Sequence, residues 1–301
     1  MKIKNREELI AKQEEYRASL NSQRKQILIC AGTGCVAGGS LEIYAKMKDI
    51  IEGKGLKCAL VLEKDPHGDS IGLKKSGCHG FCEMGPLLRI EPMGWLYIKV
   101  SLDDCEEIIE KSIIGDEVID RLVYKDQEGN PYVKQEDIPF YKQQTRIALE
   151  YCGHINAESI AEYLALGGYS AVAKALFDMT PQGIVDEITE SCLRGRGGGG
   201  FPAGRKWQQV LDQKEEEKYI VCNGDEGDPG AFMDRSMMEG EPHRVIEGML
   251  IAAIATGARH GYIYVRAEYP IAVERLQIAI NQAREYGLLG KNIFERGFDF
   301  D

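Results

Sequence analysis

Two cysteine pairs constrain this sequence more than any other feature. The pairs are Cys30-x4-Cys35 and Cys78-x3-Cys82, and each is predicted to follow a strand and to lie in a glycine-containing loop. Four thiolates suit either tetrahedral zinc or an iron–sulfur cluster, because both prefer sulfur ligands. Neither pair has the C-x2-C spacing usual in zinc knuckles, although a structural zinc site and buried free cysteines remain alternatives. His79, beside Cys78, is an alternative ligand of the Rieske type.

Composition and charge exclude several classes of function. The chain has 301 residues, a size expected for about two domains. Its formal net charge of −11 makes nucleic acids and anionic membranes poor partners. The longest nearly uncharged apolar run, residues 249–258, falls short of the ~20 residues that span a bilayer, and the charged N-terminus lacks a secretory signal. We therefore expect no membrane insertion and a reducing, cytoplasmic location. The cysteines expected only to pack in cores are Cys58, Cys105, Cys152, Cys192 and Cys222.

Helix and strand signals divide the chain into four segments. Residues 1–25 are predicted to form an amphipathic helix. Residues 26–114 give the order β-α-β-β-β-α, which suits a small mixed sheet with helices packed on it. Residues 115–155 are polar and irregular, and we expect a linker there. Residues 156–301 begin with helices and continue with alternating strands and helices, which indicates a parallel α/β domain.

A glycine-rich segment, residues 194–207, carries the second chemical signal. Gly195, Gly197 and Gly200 fit the spacing G-x-G-x-x-G, yet the segment follows a predicted helix, whereas a Rossmann fingerprint follows a strand. A P-loop is also excluded, because the required Lys followed by Ser or Thr is missing. A backbone without side chains can approach phosphates closely, so the segment is predicted to hold a phosphorylated cofactor. A flexible linker is the alternative. The basic residues that accompany the glycines are Arg194, Arg196, Arg205 and Lys206.

A polar turn at the end of a predicted strand carries the third signal. It contains Asn223, Asp225, Glu226 and Asp228. In open α/β sheets, ligands bind at the carboxyl ends of the strands. Carboxylates there can accept hydrogen bonds from ribose hydroxyls or a flavin ring, and an asparagine can both donate and accept. A solvated acidic turn is the alternative.

The cysteine pairs resemble those of the thioredoxin-like 2Fe-2S ferredoxin domain of NADH-oxidising complexes, over roughly residues 26–114. In that family four corresponding cysteines hold one 2Fe-2S cluster, which implies that the two pairs here are its ligands. The glycine-rich segment, the acidic turn, Asp234-Arg235 and Pro242-His243 are similar to the flavin subunit of complex I. The fused order resembles the beta subunit of electron-bifurcating FeFe hydrogenases and of NAD-dependent formate dehydrogenases.

The resemblance implies a fold class and a function. The fold class is α/β, with an N-terminal thioredoxin-like 2Fe-2S ferredoxin domain followed by an incomplete Rossmann-like FMN/NAD-binding domain. The implied function is electron transfer: NADH gives a hydride to FMN, FMN passes single electrons to clusters, and no protein nucleophile is needed. The implied partners are NADH and other subunits of a hydrogenase, formate dehydrogenase or complex I-like assembly. The residues implied to bind FMN or NAD(H) are Gly195, Arg196, Gly197, Gly198, Phe201, Lys206, Asn223, Asp225, Glu226 and Asp228.

Departures from the family pattern leave an alternative open. Ala203 and Arg205 stand where the family usually has Thr and Leu, and Gln209 stands where complex I has a second aromatic, so looser nicotinamide stacking is expected. Residues 298–301 predict one more strand, beyond which the family continues into a Gly-Glu-Glu-Thr motif and a 4Fe-4S helical bundle. We therefore expect a fragment or a split gene product. The alternative function is a non-catalytic 2Fe-2S relay or assembly module with an incomplete flavin site.

Overall fold

The computed structural model describes residues 2–62 and 70–301, which form two compact units. Each unit combines segments that are distant in the sequence. The cysteine unit, named for the two cysteine pairs, comprises Glu15–Glu162 and Phe232–Pro242. The glycine unit, named for the glycine-rich segment, comprises Met1–Glu14, Tyr163–Ala231 and His243–Asp301.

A mixed sheet forms the centre of the cysteine unit. Its strands are β1 (Lys25–Cys30), β2 (Cys58–Ala59), β3 (Ile71–Ser76), β4 (Leu88–Glu91) and β5 (Trp95–Tyr97). The pairs β1–β3 and β2–β3 are parallel, whereas β1–β4 and β4–β5 are antiparallel. The resulting strand order is β2-β3-β1-β4-β5. This topology confirms the small mixed sheet of thioredoxin-like class that the sequence indicated.

Helices in the first half of the chain include α1 (Arg6–Ser22), α2 (Thr33–Ala37), α3 (Ser40–Gly53) and α4 (Cys105–Glu107). Of these, α3 contacts strands β1, β2 and β3 of the sheet. In α3 the buried residues Ile43, Met47 and Ile51 recur every four positions and therefore lie on one face. That face joins Ile27 and Leu73 of the sheet in one hydrophobic core. Full burial of each such side chain stabilises the fold by about 1.5–3 kcal/mol.

The strand β3 is missing from the order that the sequence predicts. Its sequence, IGLKKS, contains two lysines and resembles an exposed segment. Lys74 is nevertheless buried, because its Nζ lies 2.8 Å from Oε1 of Glu162, and both side chains are at most 2% exposed. A long-range charge partner of this kind leaves no local signal, so the central position of the strand could not be read from the sequence.

Two other expected elements are shorter or wound differently. The strand expected at Lys57–Glu63 is observed only as Cys58–Ala59, and Glu63 lies outside the described residues. The helix expected at Leu102–Ser112 changes its winding twice along its length. Its parts are a 3-10 turn (Leu102–Asp104), the short α4 and a π-helical segment (Ile108–Ile114).

Residues 115–155 belong to the cysteine unit and are not a free linker in the structure. Their elements are β6 (Tyr124–Lys125), β7 (Pro131–Tyr132), 3-10 turns at Asp120–Leu122 and Gln135–Asp137, and α5 (Pro139–Lys142). Apolar side chains such as Ile119, Leu122 and Ile138 are buried. Each short element buries at most one side chain, so no helical or strand periodicity marks the segment in the sequence.

The glycine unit has the α/β character that the sequence indicates. Its strands β8 (Tyr219–Gly224) and β9 (His260–Val265) pair in parallel. The hairpin of β10 (Gly290–Ile293) and β11 (Phe298–Phe300) is antiparallel, which confirms a strand at residues 298–300. The helices from residue 160 onward are α6 (Ile160–Ala165), α7 (Ser170–Asp178), α8 (Pro181–Glu190), α9 (Ala203–Leu211), α10 (Met233–Gly240), α11 (Pro242–Thr256) and α12 (Pro270–Glu285). Of these, α10 belongs to the cysteine unit.

A buried polar network joins helices of the glycine unit. The Glu247 carboxylate accepts hydrogen bonds from the Tyr163 hydroxyl at 2.6 Å and the Tyr169 amide at 2.8 Å. His243 donates from Nε2 to Oε1 of Gln282 at 3.0 Å and accepts at Nδ1 from the Tyr169 hydroxyl at 2.9 Å. Burial lowers the pKa of His243 to about 4. The imidazole is therefore held neutral inside the unit.

No helix within residues 2–62 and 70–301 is long and apolar enough to cross a membrane.

Candidate cofactor sites

The structure brings the four cysteines of the two pairs together. Cys30 ends β1, Cys35 lies in α2, Cys78 follows β3, and Cys82 begins the 3-10 turn Cys82–Met84. The sulfur atoms of Cys78 and Cys82 are 3.6 Å apart. The Cys30 thiol lies within hydrogen-bonding reach of the thiols of Cys35 and Cys78. The thiols therefore form a connected series in the order 35, 30, 78 and 82.

Close packing of the loops makes this series possible. A Cβ atom on Gly32 would lie 2.9 Å from Cβ of Cys78. A Cβ atom on Gly85 would lie 2.9 Å from the sulfur of Cys35. Real Cβ atoms essentially never approach other atoms so closely, so both positions need glycine for the cysteine loops to meet.

The thiols have unequal proton affinities. The pKa of Cys78 is lowered to about 2, because the thiols of Cys30 and Cys82 and the amide of Gly80 stabilise its thiolate. The pKa of Cys30 is raised, because its own thiolate would lie buried beside Cys35 and Cys78. The pKa of Cys35 is also lowered, chiefly by its interaction with the Cys30 thiol, whereas that of Cys82 is raised by the neighbouring Cys78. The site thus favours negative charge on Cys78 and Cys35, and a cation would be needed to ionise it further.

The residues present fit an iron–sulfur cluster. Four cysteine sulfurs are the usual ligand set of a 2Fe-2S cluster, and here they come from two loops, with Cys30 and Cys35 buried and Cys82 exposed. In the described part of the chain, no three His, Cys, Asp or Glu side chains converge in the way that a single metal ion requires. The second observation in favour of a cluster is a buried polar group without a protein partner, the hydroxyl of Tyr141.

Tyr141 reaches this site from α5, a segment expected to be a linker. It belongs to the same buried hydrophobic cluster as Cys30 and Cys35. Burial raises the pKa of the Tyr141 phenol, and the nearby thiols of the cysteine pairs raise it further. Nothing in the local sequence marks this tyrosine, because its place beside the cysteines depends on how residues 115–155 fold.

His79 is not presented to the cysteine sulfurs. Its Nε2 lies 2.9 Å from the Ser76 hydroxyl, and its Nδ1 lies 3.1 Å from Oε1 of Gln135. Burial lowers the pKa of His79 to about 4. Both ring nitrogens are thus engaged in hydrogen bonds inside the unit, so the structure gives the Rieske-type alternative no support.

Helix α10 contacts the first cysteine loop. Glu239, only 1% exposed, accepts hydrogen bonds from the amide of Thr33 at 3.0 Å and from its hydroxyl. Arg235, one turn earlier, places Nε 3.9 Å from the Glu239 carboxylate. Thr33 lies between Cys30 and Cys35, so a residue some 200 positions later fixes the loop that carries this pair. Sequence reasoning missed both Glu239 and the helix that carries it.

The glycine-rich segment forms a closed loop between α8 and α9. The amide of Gly195 donates to the carbonyl of Phe201 at 2.9 Å, and the amide of Ala203 donates to that of Leu193 at 2.8 Å. Gly198 and Gly200 have φ angles of 95° and 59°, which L-residues rarely adopt. A Cβ atom at any position from 197 to 200 would meet no protein atom within 4 Å. The loop therefore exposes bare backbone to open space.

The start of α9 adds positive character to this loop. The first amides of a helix have no partner within the helix and favour anions. Phe201 is 40% exposed, and the charged groups of Arg205 and Lys206 lie 5.7 and 6.0 Å from its ring centre. A Cβ atom on Gly204 would lie 2.2 Å from the Thr189 hydroxyl, so only glycine lets α9 pack this closely on α8. Backbone amides, two cations and an aromatic ring thus gather at one helix start.

The acidic turn is held by residues that the sequence did not single out. Arg266, directly after β9, donates to the backbone carbonyl of Glu226 and lies 4.0 Å from the Asp225 carboxylate. The hydroxyl of Tyr269 donates to Glu226 at 3.3 Å, and Oδ1 of Asn223 accepts from the amide of Asp225 at 2.8 Å. Because β8 and β9 are parallel, their carboxyl ends share one sheet edge. From a parallel pairing of these two strands, the position of Arg266 beside the acidic turn could have been predicted.

The fold and the two sites together define a class of chain that has four cysteines in the loops of a mixed sheet and a bare-backbone glycine loop in an α/β unit. Comparison with known sequences agrees with this class. Residues 188–295 match the family model described as the Nuo51 FMN-binding domain.

Two curated relatives are similar over about half of this chain. The NADP-reducing hydrogenase subunit HndC of Solidesulfovibrio fructosivorans is 58% identical over 160 residues, which cover 53% of this chain and 32% of that protein. One subunit of the NADH-quinone oxidoreductase of Aquifex aeolicus is 49% identical over 143 residues, which cover 48% of this chain and 33% of that protein. The chain spans about a third of the length of these relatives. These matches confirm the resemblance to complex I-type flavin subunits that the sequence motifs indicated.

Solved structures with similarity to this chain include a hydrogenase and a ferredoxin. An NAD+-reducing [NiFe]-hydrogenase in the air-oxidised state is 21% identical with a TM-score of 0.39, covering 90% of this chain and 44% of that one. The thioredoxin-like [2Fe-2S] ferredoxin from Aquifex aeolicus is 25% identical with a TM-score of 0.27, covering 35% of this chain and 99% of that one.

Proposed function

We propose that this chain is an electron-transfer subunit that oxidises NADH through FMN and passes single electrons to iron–sulfur clusters of a multi-subunit complex. The observation that carries the proposal is the open glycine loop at the start of α9, which lies within the segment that matches the FMN-binding family model. Bound FMN would supply the conversion of a two-electron hydride into single electrons, while the protein supplies position and electrostatics.

Residues of the glycine unit have distinct roles in this proposal. The backbone of Gly195, Gly197 and Gly198, with Arg196 and Lys206, holds phosphate oxygens. Phe201 is exposed enough to stack on a ring of the nicotinamide or flavin.

The acidic turn supplies hydrogen-bond acceptors. Asn223, Asp225, Glu226 and Asp228 accept bonds from ribose or ribityl hydroxyls. Arg266 fixes the shape of the turn through the Glu226 carbonyl, and its charge offsets that of Asp225. No side chain of the turn acts as a nucleophile in this proposal, because the reaction is a hydride transfer between two bound cofactors.

The cysteine unit holds one 2Fe-2S cluster in this proposal, with Cys30, Cys35, Cys78 and Cys82 as ligands. The support is the contact series of their four sulfurs and the glycines that allow it. The proposed partners are other subunits of a hydrogenase, formate dehydrogenase or complex I-like assembly, and the proposed location is the cytoplasm, where thiols stay reduced.

We further propose that NADH is preferred over NADPH. The carboxylates of the acidic turn would repel a ribose 2′-phosphate. The names of the relatives differ on this point, since HndC is called NADP-reducing and a hydrogenase subunit of Cupriavidus necator NAD-reducing. Specificity constants for both nucleotides, measured in the assembled enzyme, test the preference; equal constants would refute it.

The test of the proposed function is reconstitution of the purified chain under anaerobic conditions with iron, sulfide and FMN. We expect flavin binding, measured by quenching of FMN fluorescence, together with about two irons and two sulfides per chain. Lys206→Ala should weaken FMN binding about tenfold, since a charge-assisted hydrogen bond contributes about 1.5–3 kcal/mol. The matched control is Lys214→Ala, an exposed lysine beyond the end of α9.

The outcomes separate the proposal from its alternatives. Iron and sulfide without FMN binding would favour the non-catalytic 2Fe-2S relay or assembly module. Zinc in place of iron, in a colourless protein, would favour a structural zinc site. Equal FMN affinity of the Lys206→Ala variant and the Lys214→Ala control would remove Lys206 from the flavin site.

A further inference from the structure

The hydroxyl of Tyr141 is a buried polar group without a protein partner. The residue is 8% exposed, its hydroxyl oxygen is out of contact with solvent, and no protein atom in residues 2–62 and 70–301 hydrogen-bonds to it, cysteine sulfurs included. Leaving such a group unpaired costs about 1–3 kcal/mol. Buried polar groups in folded proteins nearly always have a partner, so this one calls for a bound group.

The surroundings of Tyr141 identify the chemistry of that group. Its side chain lies in one buried cluster with Cys30, Cys35 and Leu87. The edge of its ring meets Phe81, which lies between Cys78 and Cys82, at a centroid distance of 5.9 Å. The thiols of Cys30, Cys78 and Cys82 are close enough to the hydroxyl to raise the pKa of the phenol, so the hydroxyl lies beside the cysteine site. A phenol is protonated at neutral pH, so its O–H is available to donate to an acceptor such as a sulfur atom.

We propose that the Tyr141 hydroxyl donates a hydrogen bond to an inorganic sulfide of the cluster held by the four cysteines, and so raises the reduction potential of that cluster. This inference rests on the proposed 2Fe-2S site. Reduction adds negative charge to the cluster, and a donor bond to sulfur stabilises the reduced state more than the oxidised state. Tyr141 is a positioning and tuning residue here and supplies no ligand to iron.

The test compares Tyr141→Phe with the unaltered chain after cluster reconstitution. The substitution removes only the hydroxyl and keeps the ring that packs against Phe81. We expect unchanged iron and sulfide content and a lower midpoint potential in an EPR-monitored redox titration. The ratio of reduced to oxidised cluster at a fixed potential should fall about tenfold, which for a one-electron couple is about 59 mV.

Tyr132→Phe is the matched control. Tyr132 packs against the same buried cluster, but its hydroxyl donates to the Asp126 carboxylate at 3.0 Å and so has a protein partner. We expect its removal to leave the potential unchanged. A second readout is ENDOR spectroscopy of the reduced cluster, in which one exchangeable proton coupling should disappear in Tyr141→Phe alone.

The outcomes distinguish this inference from the proposed function. If the unaltered chain holds no 2Fe-2S cluster, the proposed site is wrong and the inference falls with it. If the cluster is present and Tyr141→Phe has the potential and proton couplings of the unaltered chain, the inference alone is overturned. An equal potential shift in both variants would also overturn it, because the effect would then come from general repacking.

Discussion

The cysteine loops and the glycine-rich loop are both short, glycine-containing segments, yet their glycines differ in how closely other atoms pack around them. Around the cysteines, Gly32 and Gly85 have no room for a Cβ atom, and Cys30 and Cys35 are buried. Around the glycine-rich loop, a Cβ atom on Gly198 would meet open space. Folding therefore brings the cysteines together within the protein, whereas the glycine-rich loop, the proposed phosphate site, stays open to a ligand.

The largest effect should come from breaking the closed thiol site. Cys78→Ala removes the thiol whose sulfur contacts both Cys30 and Cys82. We expect loss of the cluster, seen as loss of iron, of acid-labile sulfide and of the EPR signal of the reduced protein. Cys58→Ala, a half-buried cysteine of the same unit, is the control and should keep all three. A fully loaded Cys78→Ala variant would exclude this cysteine as a ligand.

Acid should destabilise the glycine unit through a group remote from its open loop. His243 has a folded-state pKa of about 4, below its ordinary value, so the unfolded state binds more protons between about pH 6.5 and 4. Stability is thus present above this window and falls as the pH drops through it, by about 3 kcal/mol in all.

The measurement for this prediction is urea unfolding at a series of pH values, with hydrogen exchange of α11 to locate the effect. His243→Gln should flatten the pH dependence. Exposed His260→Gln, in β9 of the same unit, should keep it. An equally steep acid loss in the His243→Gln variant would show that another group is responsible.

A smaller effect should follow from removing the contact between α10 and the first cysteine loop. Glu239→Ala removes the carboxylate that accepts from the amide and hydroxyl of Thr33. We expect a loss of about 1.5–3 kcal/mol in the free energy of unfolding of the cysteine unit, with faster cluster loss during chelator challenge. Exposed Glu106, which pairs with Lys54 at 3.6 Å, is the control. Glu106→Ala should lower the free energy of unfolding by at most about 1 kcal/mol.

The smallest effect should come from stiffening the open loop. Gly198→Ala places a Cβ atom at φ 95°, which costs about 1–2 kcal/mol of backbone strain even though space is free. We expect FMN affinity to fall about tenfold and the free energy of unfolding to fall by about 1–2 kcal/mol, measured by fluorescence titration and calorimetry. Gly248→Ala lies in α11, also with open space, and should leave FMN binding unchanged. Equal affinities for the two variants would argue against flavin at this loop.

Local patterns made much of the fold predictable. The apolar spacing of residues 40–52 predicted α3, and Thr180 with Pro181 predicted the start of α8, where the threonine side chain accepts from the amide of Gly183. The four cysteines were predicted together because each loop pair carries its own spacing signal. These features depend on residues within a few positions of one another.

The features that could not be predicted from the sequence depend on contacts between residues far apart in the chain. Lys74 is buried because of Glu162, and Thr33 is fixed by Glu239; neither partner could be inferred from local pattern. Tyr141 reaches the thiol site only after a segment without periodicity has folded. Arg266 was within reach, since it is the last residue of the strand that the sequence predicts at residues 261–266, but its role depends on the parallel pairing of β9 with β8.

The contact between Thr33 and Glu239 also sets an order of events during protein synthesis. Glu239 is translated about 160 residues after Cys82, which takes roughly 8–30 s at the usual elongation rates. Throughout that interval the nascent chain contains all four cysteines, but Glu239 has not yet been synthesised and cannot hold Thr33 in the first cysteine loop. We expect ribosome-arrested chains that end before residue 232 to take up iron and sulfide faster than chains arrested well beyond residue 242. Equal uptake rates would show that the contact between Thr33 and Glu239 does not limit access of iron and sulfide to the cysteines.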